Sequence, residues 1–485
     1  MGGPMCKQCV LPIVAQPVIL SLLAVGAILN APALTLGAQR PNVLFIVSDD
    51  MNNHLGCYGY PAVQSPNIDR LASRGMRFDH AYCQVPLCNP SRVSYLSGLR
   101  PARTGVYTLG KPTRADLGDW VMLPEYFRKN GYFTVQAGKI YHTGEGHEDP
   151  RSWDVEDREF GKRPNVEEIL RTDNPPGPIK HTNDWAELKT PDEKTPDGIQ
   201  ARRGAAHIEQ AAAEGKPFFV AVGFRRPHAP FAAPKAYFDL YPPAQIALPQ
   251  EPPEGYLQRL LPAALNYGIN PTPQTEQQRR ELIAAYYACN SFVDAQVGVV
   301  LEILDRLSLW DDTIVVFFGD QGYHLGDHGG LWHKNSLFEE SCRVPLVIWA
   351  PGMKAAGKPC GRIVELIDLY PTLASLCGLP IPTDLDGIDL SQLLDEPSRP
   401  SKEAAFSAIA RTDDPAERVV QIGFLGRTVR TERWRYTEWD TGRKGIELYD
   451  VAHDPHEWQN LADLPEHAAT CTRLHELLAK TDSSE

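Results

Sequence analysis

The segment Val43-Leu44-Phe45-Ile46-Val47-Ser48-Asp49-Asp50 joins a continuous apolar run to a pair of adjacent acids. Similar apolar runs, bounded by turn-forming residues, recur at residues 218–222, 314–318 and 346–349. Such runs are typical of strands buried on both faces, as in a parallel sheet. Helical patterns separate them, one at residues 65–75 with Ser65 as its predicted N-cap, and the longest at residues 281–307. Strands that alternate with helices predict an α/β fold, in which helices flank a large and mostly parallel central sheet.

The N-terminus has the pattern of a secretory signal peptide. Lys7 precedes an apolar stretch at residues 11–36 that ends in small residues. We expect residues 1–38 to be removed on export, which places the mature protein in the periplasm or outside the cell. A membrane anchor is the alternative, but prolines interrupt the stretch and a span needs ~20 continuous apolar residues. We therefore expect no membrane attachment after signal removal.

The remaining chain is predicted to form two domains, at residues 39–400 and 401–485. The second is expected to be a small α+β domain with a short antiparallel sheet, because short alternating segments precede a final helical pattern. These elements are predicted at residues 419–424, 427–431, 435–439 and 465–480. Residues 150–200 and 242–280 are rich in proline and charge, and they are predicted to be surface insertions that shape a cleft.

Charge and cysteine content exclude several kinds of protein. The chain has 48 Lys and Arg against 61 Asp and Glu, a net charge of -13, so nucleic acid is not an expected partner. An anionic substrate must be held by a few local cations. Of the 10 cysteines, those beyond the predicted signal have no CxxC or zinc-like spacing, and we expect most of them to be buried thiols.

Acidic or amide side chains follow two of the predicted strands. Asp49 and Asp50 end the first, and Asp320 and Gln321 follow the run at residues 314–318. Ligands of open α/β sheets bind beyond the carboxyl ends of the strands. Adjacent carboxylates repel each other unless a cation lies between them, and oxygen ligands favour Ca²⁺ or Mg²⁺ over Zn²⁺. The alternative is that Asp49 and Asp50 simply begin a turn.

The stretch Cys88-Asn89-Pro90-Ser91-Arg92, followed by Leu96-Ser97-Gly98, resembles the sulfatase signature C-x-P-S-R-x-x-x-L-T-G. The resemblance implies that a maturation enzyme oxidises Cys88 to formylglycine. It also implies an alkaline phosphatase-like sandwich fold. Leu99 stands where the family usually has arginine, with Arg100 one place later, which bears on recognition by that enzyme. The alternative for Cys88 is a buried thiol.

Further segments are similar to the same family, so the resemblance spans about residues 40–465. They are Gly138-Lys139-Ile140-Tyr141-His142, Pro227-His228-Ala229-Pro230-Phe231, Asp320-Gln321-Gly322 through Lys334, and Glu447-Leu448-Tyr449-Asp450 with Asp454-Pro455 and Asn460-Leu461. The sequence around Lys139, His142 and His228 most resembles that of iduronate-2-sulfatases.

The resemblance implies a role for each matching residue. One divalent cation, Ca²⁺ with Mg²⁺ as the alternative, would be held by Asp49, Asp50, the modified Cys88, Asp320 and Gln321. Gln321 departs from the Asn or His often found there, but its amide oxygen can still ligate a hard cation. The other implied roles are contact with the formylglycine diol by Arg92 and His142, and a grip on sulfate by Lys139, His228 and Lys334. Either His228 or Lys334 would protonate the leaving oxygen.

The implied activity is hydrolysis of a sulfate ester on a sulfated saccharide, with a 2-O-sulfated uronate as the specific candidate. The hydrated aldehyde would attack sulfur, and its second hydroxyl would then expel sulfate. Arg225 and Arg226 would bind a sugar carboxylate or act as structural ion-pair partners. The alternatives are a phosphomonoesterase or phosphodiesterase of the alkaline phosphatase superfamily, and a catalytically inactive protein that binds sulfated glycans.

Overall fold

The computed structural model describes Met1 and residues 40–158, 168–172, 184–265, 275–413 and 421–481. The chain divides into two units, Met1–Gln39 and Arg40–Glu485, and the fold described below is that of the second. The predicted signal peptide, apart from Met1, lies outside the described residues. No described helix has both the length and the apolarity needed to cross a membrane. The domain boundary at residue 400 stays a prediction.

The strands of the described chain, in order, are as follows. They are β1 Asn42–Asp49, β2 Met76–Tyr82, β3 Phe133–Gly138, β4 Val155–Asp157, β5 Ile169–Thr172, β6 Trp185–Leu188, β7 Phe218–Pro227, β8 Phe231–Pro234, β9 Thr313–Gly319, β10 His324–Gly326, β11 Leu331–His333, β12 Arg343–Val344, β13 Leu346–Trp349, β14 Pro359–Glu365, β15 Ala404–Arg411, β16 Phe424–Thr431, β17 Trp434–Trp439 and β18 Ile446–Asp450.

The helices vary from single turns to a helix of 31 residues. They are α1 Pro66–Arg74, α2 Cys88–Ser97, α3 Pro101–Thr104, α4 Leu123–Lys129, α5 Pro196–Ala213, α6 Lys235–Phe238, α7 Tyr256–Arg259, α8 Glu276–Arg306, α9 Asp327–Gly330, α10 Glu339–Cys342, α11 Leu369–Leu376 and α12 Ala468–Ala479.

The central sheet has the strand order β12-β2-β13-β9-β1-β7-β3-β4, and β14 pairs with β2. Strand β1 lies at its middle and is parallel to both neighbours, so that Val43 is opposite Phe219 on one side and Ile314 on the other. The predicted α/β fold with a mostly parallel sheet is confirmed. The run at residues 346–349 is a strand, but it is antiparallel to both β2 and β9.

Both faces of β1 are buried, as its continuous apolar run predicts. Val43, Phe45 and Val47 pack into one apolar layer, and Leu44 and Ile46 pack into the layer on the opposite face. Complete burial of each such side chain stabilises the fold by roughly 1.5–3 kcal/mol. The middle of the sheet is therefore rigid, and residues that follow its strands are held in fixed positions.

Helix α8 packs beside α1, and it corrects one expectation from the sequence. Ser65 precedes α1 as predicted for an N-cap, but its side chain makes no capping bond to the helix. The carboxylate of Asp294, in α8, instead accepts from the backbone N–H groups of Asn67 at 3.0 Å and Ile68 at 2.8 Å. The first turn of α1 is therefore capped by another helix.

The C-terminal residues form an antiparallel sheet of order β15-β16-β17-β18, covered by α12, as the sequence predicts for a small α+β unit. Strand β15 was not expected from the sequence, and the segment predicted at residues 419–424 lies partly outside the described residues. The insertion predicted at residues 150–200 is also more regular than expected. It contributes β4 to the central sheet, and β5 and β6 to a separate sheet with β8.

Candidate active site

The predicted cation ligands meet at the carboxyl ends of two adjacent strands. Asp49 and Asp50 lie at the end of β1, Asp320 and Gln321 follow β9, and all four side chains are fully buried. Asp320 Oδ1 accepts from the backbone N–H of Asp50 and from that of Gln321, each at 3.0 Å. One carboxylate thus fixes both strand ends, which brings four oxygen-bearing side chains together.

Asp50 has a backbone conformation that few residues other than glycine adopt, with φ of 67°. The left-handed conformation costs roughly 1–2 kcal/mol and must be held by its surroundings. The hydroxyl of Tyr286, on α8, donates to the Asp50 carbonyl at 2.7 Å and accepts from Asn52 N–H at 2.9 Å. Sequence analysis missed this positioning residue, because nothing local in a long helix marks a tyrosine that supports a distant turn.

Cys88 is the first residue of α2, and its side chain points to the acids. Its Sγ lies 3.5 Å from Gln321 Nε2, 3.9 Å from Asp50 Oδ1 and 2.9 Å from Lys334 Nζ. All ten residues of α2 are buried, including Cys88, which is 2% exposed. The helix thus presents one thiol to a closed, highly charged site.

Five cationic or imidazole side chains surround the acids: one arginine, two lysines and two histidines. Arg92, one turn after Cys88, places Nη2 at 2.7 Å from Asp320 Oδ2 and 3.5 Å from Asp49 Oδ1. Its Nη1 donates to the carbonyls of Lys139 and Ile140 at 2.6 and 2.8 Å, which links α2 to the end of β3.

The two lysines make direct ion pairs with the end of β1. Lys139 Nζ contacts Asp49, and Lys334 Nζ contacts Asp50. Both lysines are buried, with 6% and 2% of their surface exposed. A buried lysine is costly unless paired, so these contacts hold both amines in the charged site.

The two histidines lie at the edge of this cluster. His228 donates from Nδ1 to the Ala229 carbonyl at 2.6 Å, so the lone pair of its neutral form is on Nε2, 3.9 Å from Asp50 Oδ2. His142 lies close enough to Lys139 and Asp49 for their charges to act on it. Its Nδ1 is buried and has no hydrogen-bond partner among the described residues.

Burial and charge shift the acid–base behaviour of the cluster. Burial raises the pKa of Asp49, but Lys139, His228, Arg92 and Lys334 outweigh burial and hold it well below the usual range. Burial raises the pKa of Asp320 to about 7, although Arg92 opposes it. Burial and the Asp49 charge raise the pKa of the Cys88 thiol to about 12. The cluster therefore favours an ionised Asp49 and a protonated thiol.

The oxygen set fits a hard divalent cation. Within the described residues, Asp50 Oδ2 and Gln321 Oε1 are buried without a hydrogen-bond partner, and Asp320 Oδ2 is buried beside Arg92 Nη2. Rotation of the Gln321 amide exchanges its nitrogen for that oxygen, so the residue can join the carboxylates as a ligand. Asp49, Asp50, Cys88 and His228 also offer ligand atoms that all lie within 4.8 Å of one another. Unpaired oxygens in a buried site are what Ca²⁺ or Mg²⁺ requires.

Two further predictions concern cysteines and arginines. The cysteines from Cys57 onward are all free thiols, and each is buried except Cys57, which is half-buried. The Arg226 guanidinium donates to the carbonyls of Ala232 at 2.8 Å and His228 at 3.0 Å. Arg226 thus braces the loop that carries His228, a third role that sequence analysis had not considered for it. The backbone N–H of the half-buried Arg225 donates to Asp197 Oδ1 at 2.8 Å.

Comparisons with known proteins agree on one family. A family model described as "Sulfatase" matches residues 41–379, and one described as "N-sulphoglucosamine sulphohydrolase, C-terminal" matches residues 326–484. Iduronate 2-sulfatase of Homo sapiens is 32% identical over 500 residues, which cover 86% of this chain and 90% of that protein.

Solved structures agree with the fold. A phosphonate monoester hydrolase of Agrobacterium radiobacter superposes with a TM-score of 0.75 at 23% identity, covering 91% of this chain and 95% of its own. At that identity the likeness concerns the fold alone. A structure titled as a 2-O GAG sulfatase gives a TM-score of 0.69 at 25% identity, with 91% of each chain covered.

Proposed function

Because the chain belongs to the sulfatase family and is a sulfuric ester hydrolase, we propose that it removes sulfate from a sulfated saccharide, with a 2-O-sulfated uronate as the specific substrate. The name of the human relative, iduronate 2-sulfatase, and that of the 2-O GAG sulfatase structure support the ring position. The observation that supports the chemistry is that Lys334 contacts the buried residue 88, while Arg92, Lys139 and His228 lie against the carboxylates beside it.

Substrate binding depends on these local cations. A sulfate ester is a monoanion, and the whole chain is acidic with a net charge of -13. Lys139, Lys334 and His228 would hold the sulfate group. The two lysines are already buried and paired with the acids at the end of β1. Charge that develops on sulfate oxygens during the reaction is stabilised most by such pre-positioned cations.

The nucleophile is assigned to residue 88. We propose that Cys88 is oxidised to formylglycine by a maturation enzyme, and that the hydrated aldehyde supplies the attacking oxygen. Arg92 would hold that group from the next turn of α2, because its guanidinium is fixed by Asp320 and by two backbone carbonyls. His142 would contact the same group from the end of β3.

We assign the cation to the buried oxygens of the site. Asp49, Asp50, residue 88, Asp320 and Gln321 would hold one Ca²⁺, with Mg²⁺ as the alternative. A bound cation of this kind withdraws negative charge from the oxygens of the transferred group. Lys334 or His228 would protonate the leaving alcohol, since both lie beside Asp50.

Export through the N-terminal signal peptide is part of the proposal. A periplasmic or extracellular location gives access to large sulfated saccharides. It rests on the pattern of residues 1–38, with Lys7 before an apolar stretch.

The test compares substrates that differ in one feature. Purified protein is incubated with a disaccharide that carries 2-O-sulfated uronate, a matched one that carries only 6-O-sulfated glucosamine, and p-nitrophenyl phosphate. We expect sulfate release from the first with a kcat/KM at least ~10-fold above the second, and none of this activity in Cys88→Ala.

Each unexpected outcome would contradict a different part of the proposal. Equal rates on the two disaccharides would remove the 2-O-uronate assignment and leave the sulfatase activity. Hydrolysis of the phosphate ester without sulfate release would favour the phosphomonoesterase alternative. Tight binding of the sulfated disaccharide without turnover would favour an inactive glycan-binding protein.

A further inference from the structure

A second group of metal-ligating side chains lies outside the candidate active site. It consists of His324 on β10, His328 on α9 and Glu340 on α10. Each offers one ligand atom, and these atoms all lie within 4.8 Å of one another. The active-site set is dominated by oxygen, whereas this set contains two imidazole nitrogens and one carboxylate. Such a mixture is typical of Zn²⁺ sites.

Of the two ring nitrogens of His324, only Nε2 has a hydrogen-bond partner among the described residues. Its Nε2 lies 2.7 Å from Ser336 Oγ, and Ser336 donates its own hydroxyl hydrogen to Ser341 Oγ at 3.0 Å. Ser336 must therefore accept from His324, which puts the imidazole hydrogen on Nε2. The remaining nitrogen, Nδ1, carries a lone pair, is fully buried and has no hydrogen-bond partner among the described residues.

That lone pair faces negative charge. His324 Nδ1 lies 3.8 Å from Asp327 Oδ2 and 3.9 Å from Glu340 Oε2. A lone pair directed at two carboxylates is unfavourable unless a proton or a metal cation lies between them. The buried side chain of His324 is thus aimed at the place where a cation is needed.

His328 completes the group from the other side. Its Nε2 lies 3.1 Å from Glu340 Oε2, and its Nδ1 lies 2.6 Å from the hydroxyl of Tyr256. The Tyr256 oxygen can accept a hydrogen from Nδ1, which leaves Nε2 as a ligand. A partner on the second nitrogen is the usual way in which a metal-binding imidazole is oriented.

The distances suit a tetrahedral site, and a cavity gives access to it. Zinc at ~2.0–2.1 Å from its ligands places neighbouring ligand atoms roughly 3.3 Å apart, close to the observed 3.1 and 3.9 Å. A cavity of about 150 Å³ borders Asp327, His328 and Glu340 and extends to His54 and Tyr287. A water molecule or Asp327 can take the fourth position from this side.

We propose that His324 Nδ1, His328 Nε2 and Glu340 bind a second divalent cation of the zinc class. The site would join β10 and α9 to α10, and so would hold the segment between Gln321 and Lys334 in place. It is independent of the proposed hydrolysis, because its residues are separate from the cluster around Cys88. A protonated His324 that pairs with the same carboxylates is the competing explanation.

The experiment measures zinc directly in the full-length protein. Metal-stripped protein is equilibrated with Zn²⁺ in a large excess of Ca²⁺, which occupies oxygen-rich sites, and is then desalted for elemental analysis. We expect one zinc per chain in the wild type. Glu340→Gln keeps the shape of the side chain and removes its charge, and it should weaken zinc binding by at least ~100-fold, as should His324→Asn.

A matched control and a spectrum make the result specific. His453→Asn changes an exposed histidine that pairs with Asp450, and it should bind zinc like the wild type. X-ray absorption should show nitrogen and oxygen neighbours at ~2.0–2.1 Å and no sulfur at ~2.3 Å.

The proposal is overturned if the wild type retains no zinc, if both site variants bind zinc as well as the wild type, or if sulfur ligands place the ion at a cysteine. If a variant fails to fold by circular dichroism, the wild-type stoichiometry and absorption spectrum decide the matter.

Discussion

Lys334 Nζ lies 2.9 Å from Cys88 Sγ, although 246 residues separate the two along the chain. The same amine pairs with Asp50 at the end of β1. One cation therefore stands between the proposed nucleophile and the proposed metal ligands, where it can act on the group being transferred. Mutations can therefore test the two roles separately. Residue 88 would form the covalent bond to sulfur, and Lys334 would supply positive charge to the sulfate group.

Replacing Cys88 by alanine should abolish sulfate ester hydrolysis. The loss should be at least ~10³-fold in kcat, since a covalent nucleophile has no substitute in the site. The melting temperature of the metal-free protein should change little, because only a small side chain is removed. Cys360→Ala, at another buried free thiol, is the matched control and should keep its activity. Residual activity of Cys88→Ala near that of the wild type would disprove the assignment.

Replacing Lys334 by methionine should lower kcat/KM by ~10²–10³-fold, because it removes a pre-positioned cation and keeps the length of the side chain. Steady-state kinetics on the sulfated disaccharide would measure the change. Lys354→Met, at an exposed lysine that pairs with Asp395, removes the same charge elsewhere. Similar effects from both substitutions would show that net charge, and not the position of Lys334, governs the rate.

Removal of the divalent cation should abolish activity and lower stability. Asp49, Asp50 and Asp320 share a buried site, so a cation bound only by the folded chain stabilises it by about 2.7 kcal/mol at a hundred times its Kd. After treatment with a chelator, we expect a lower Tm and no sulfate release, and both should return with Ca²⁺. Full activity in protein shown by elemental analysis to lack divalent metal would contradict this prediction.

The buried carboxyl of Asp294 should make stability depend on pH. Burial raises its pKa to about 6 from an ordinary 3.8, even though Asn67 and Ile68 donate hydrogen bonds to it. The folded state then binds the proton more tightly, so the stability it contributes is complete below pH ~4 and is lost as the pH rises through ~6. The loss amounts to at most about 3 kcal/mol.

Denaturant unfolding of the wild type and Asp294→Asn between pH 4.5 and 7.5 would measure this effect. The stability advantage of the wild type over the variant should shrink as the pH rises. Asp305→Asn is the control of opposite sign, because Arg70 and Trp310 outweigh burial and lower the pKa of Asp305. A difference between wild type and Asp294→Asn that does not vary with pH would refute the prediction.

The central sheet and most of the site could be predicted because their signals are local. The apolar run of β1 marks a strand buried on both faces, and the acids that follow must lie at its carboxyl end. Cys88 and Arg92 are one helical turn apart, so their shared direction also follows from short-range spacing.

The missed features depend on contacts between distant segments. The cap of α1 comes from Asp294, 227 residues after Asn67, so the nearby Ser65 was a misleading signal. Tyr286 supports Asp50 across 236 residues. The direction of β13 depends on its place between two neighbours, and an apolar run contains no information on strand direction.

The complete burial of α2 sets an order of events for the newly made chain. In the folded protein no enzyme can reach Cys88, because the whole helix is enclosed between the sheet and the segments around it. Any enzyme that oxidises this cysteine must therefore act while the chain is still extended, before Lys334 and the other late segments close over it. If Cys88 is oxidised as proposed, fast folding would compete with that oxidation, and a chain that folds too early would lack the proposed nucleophile.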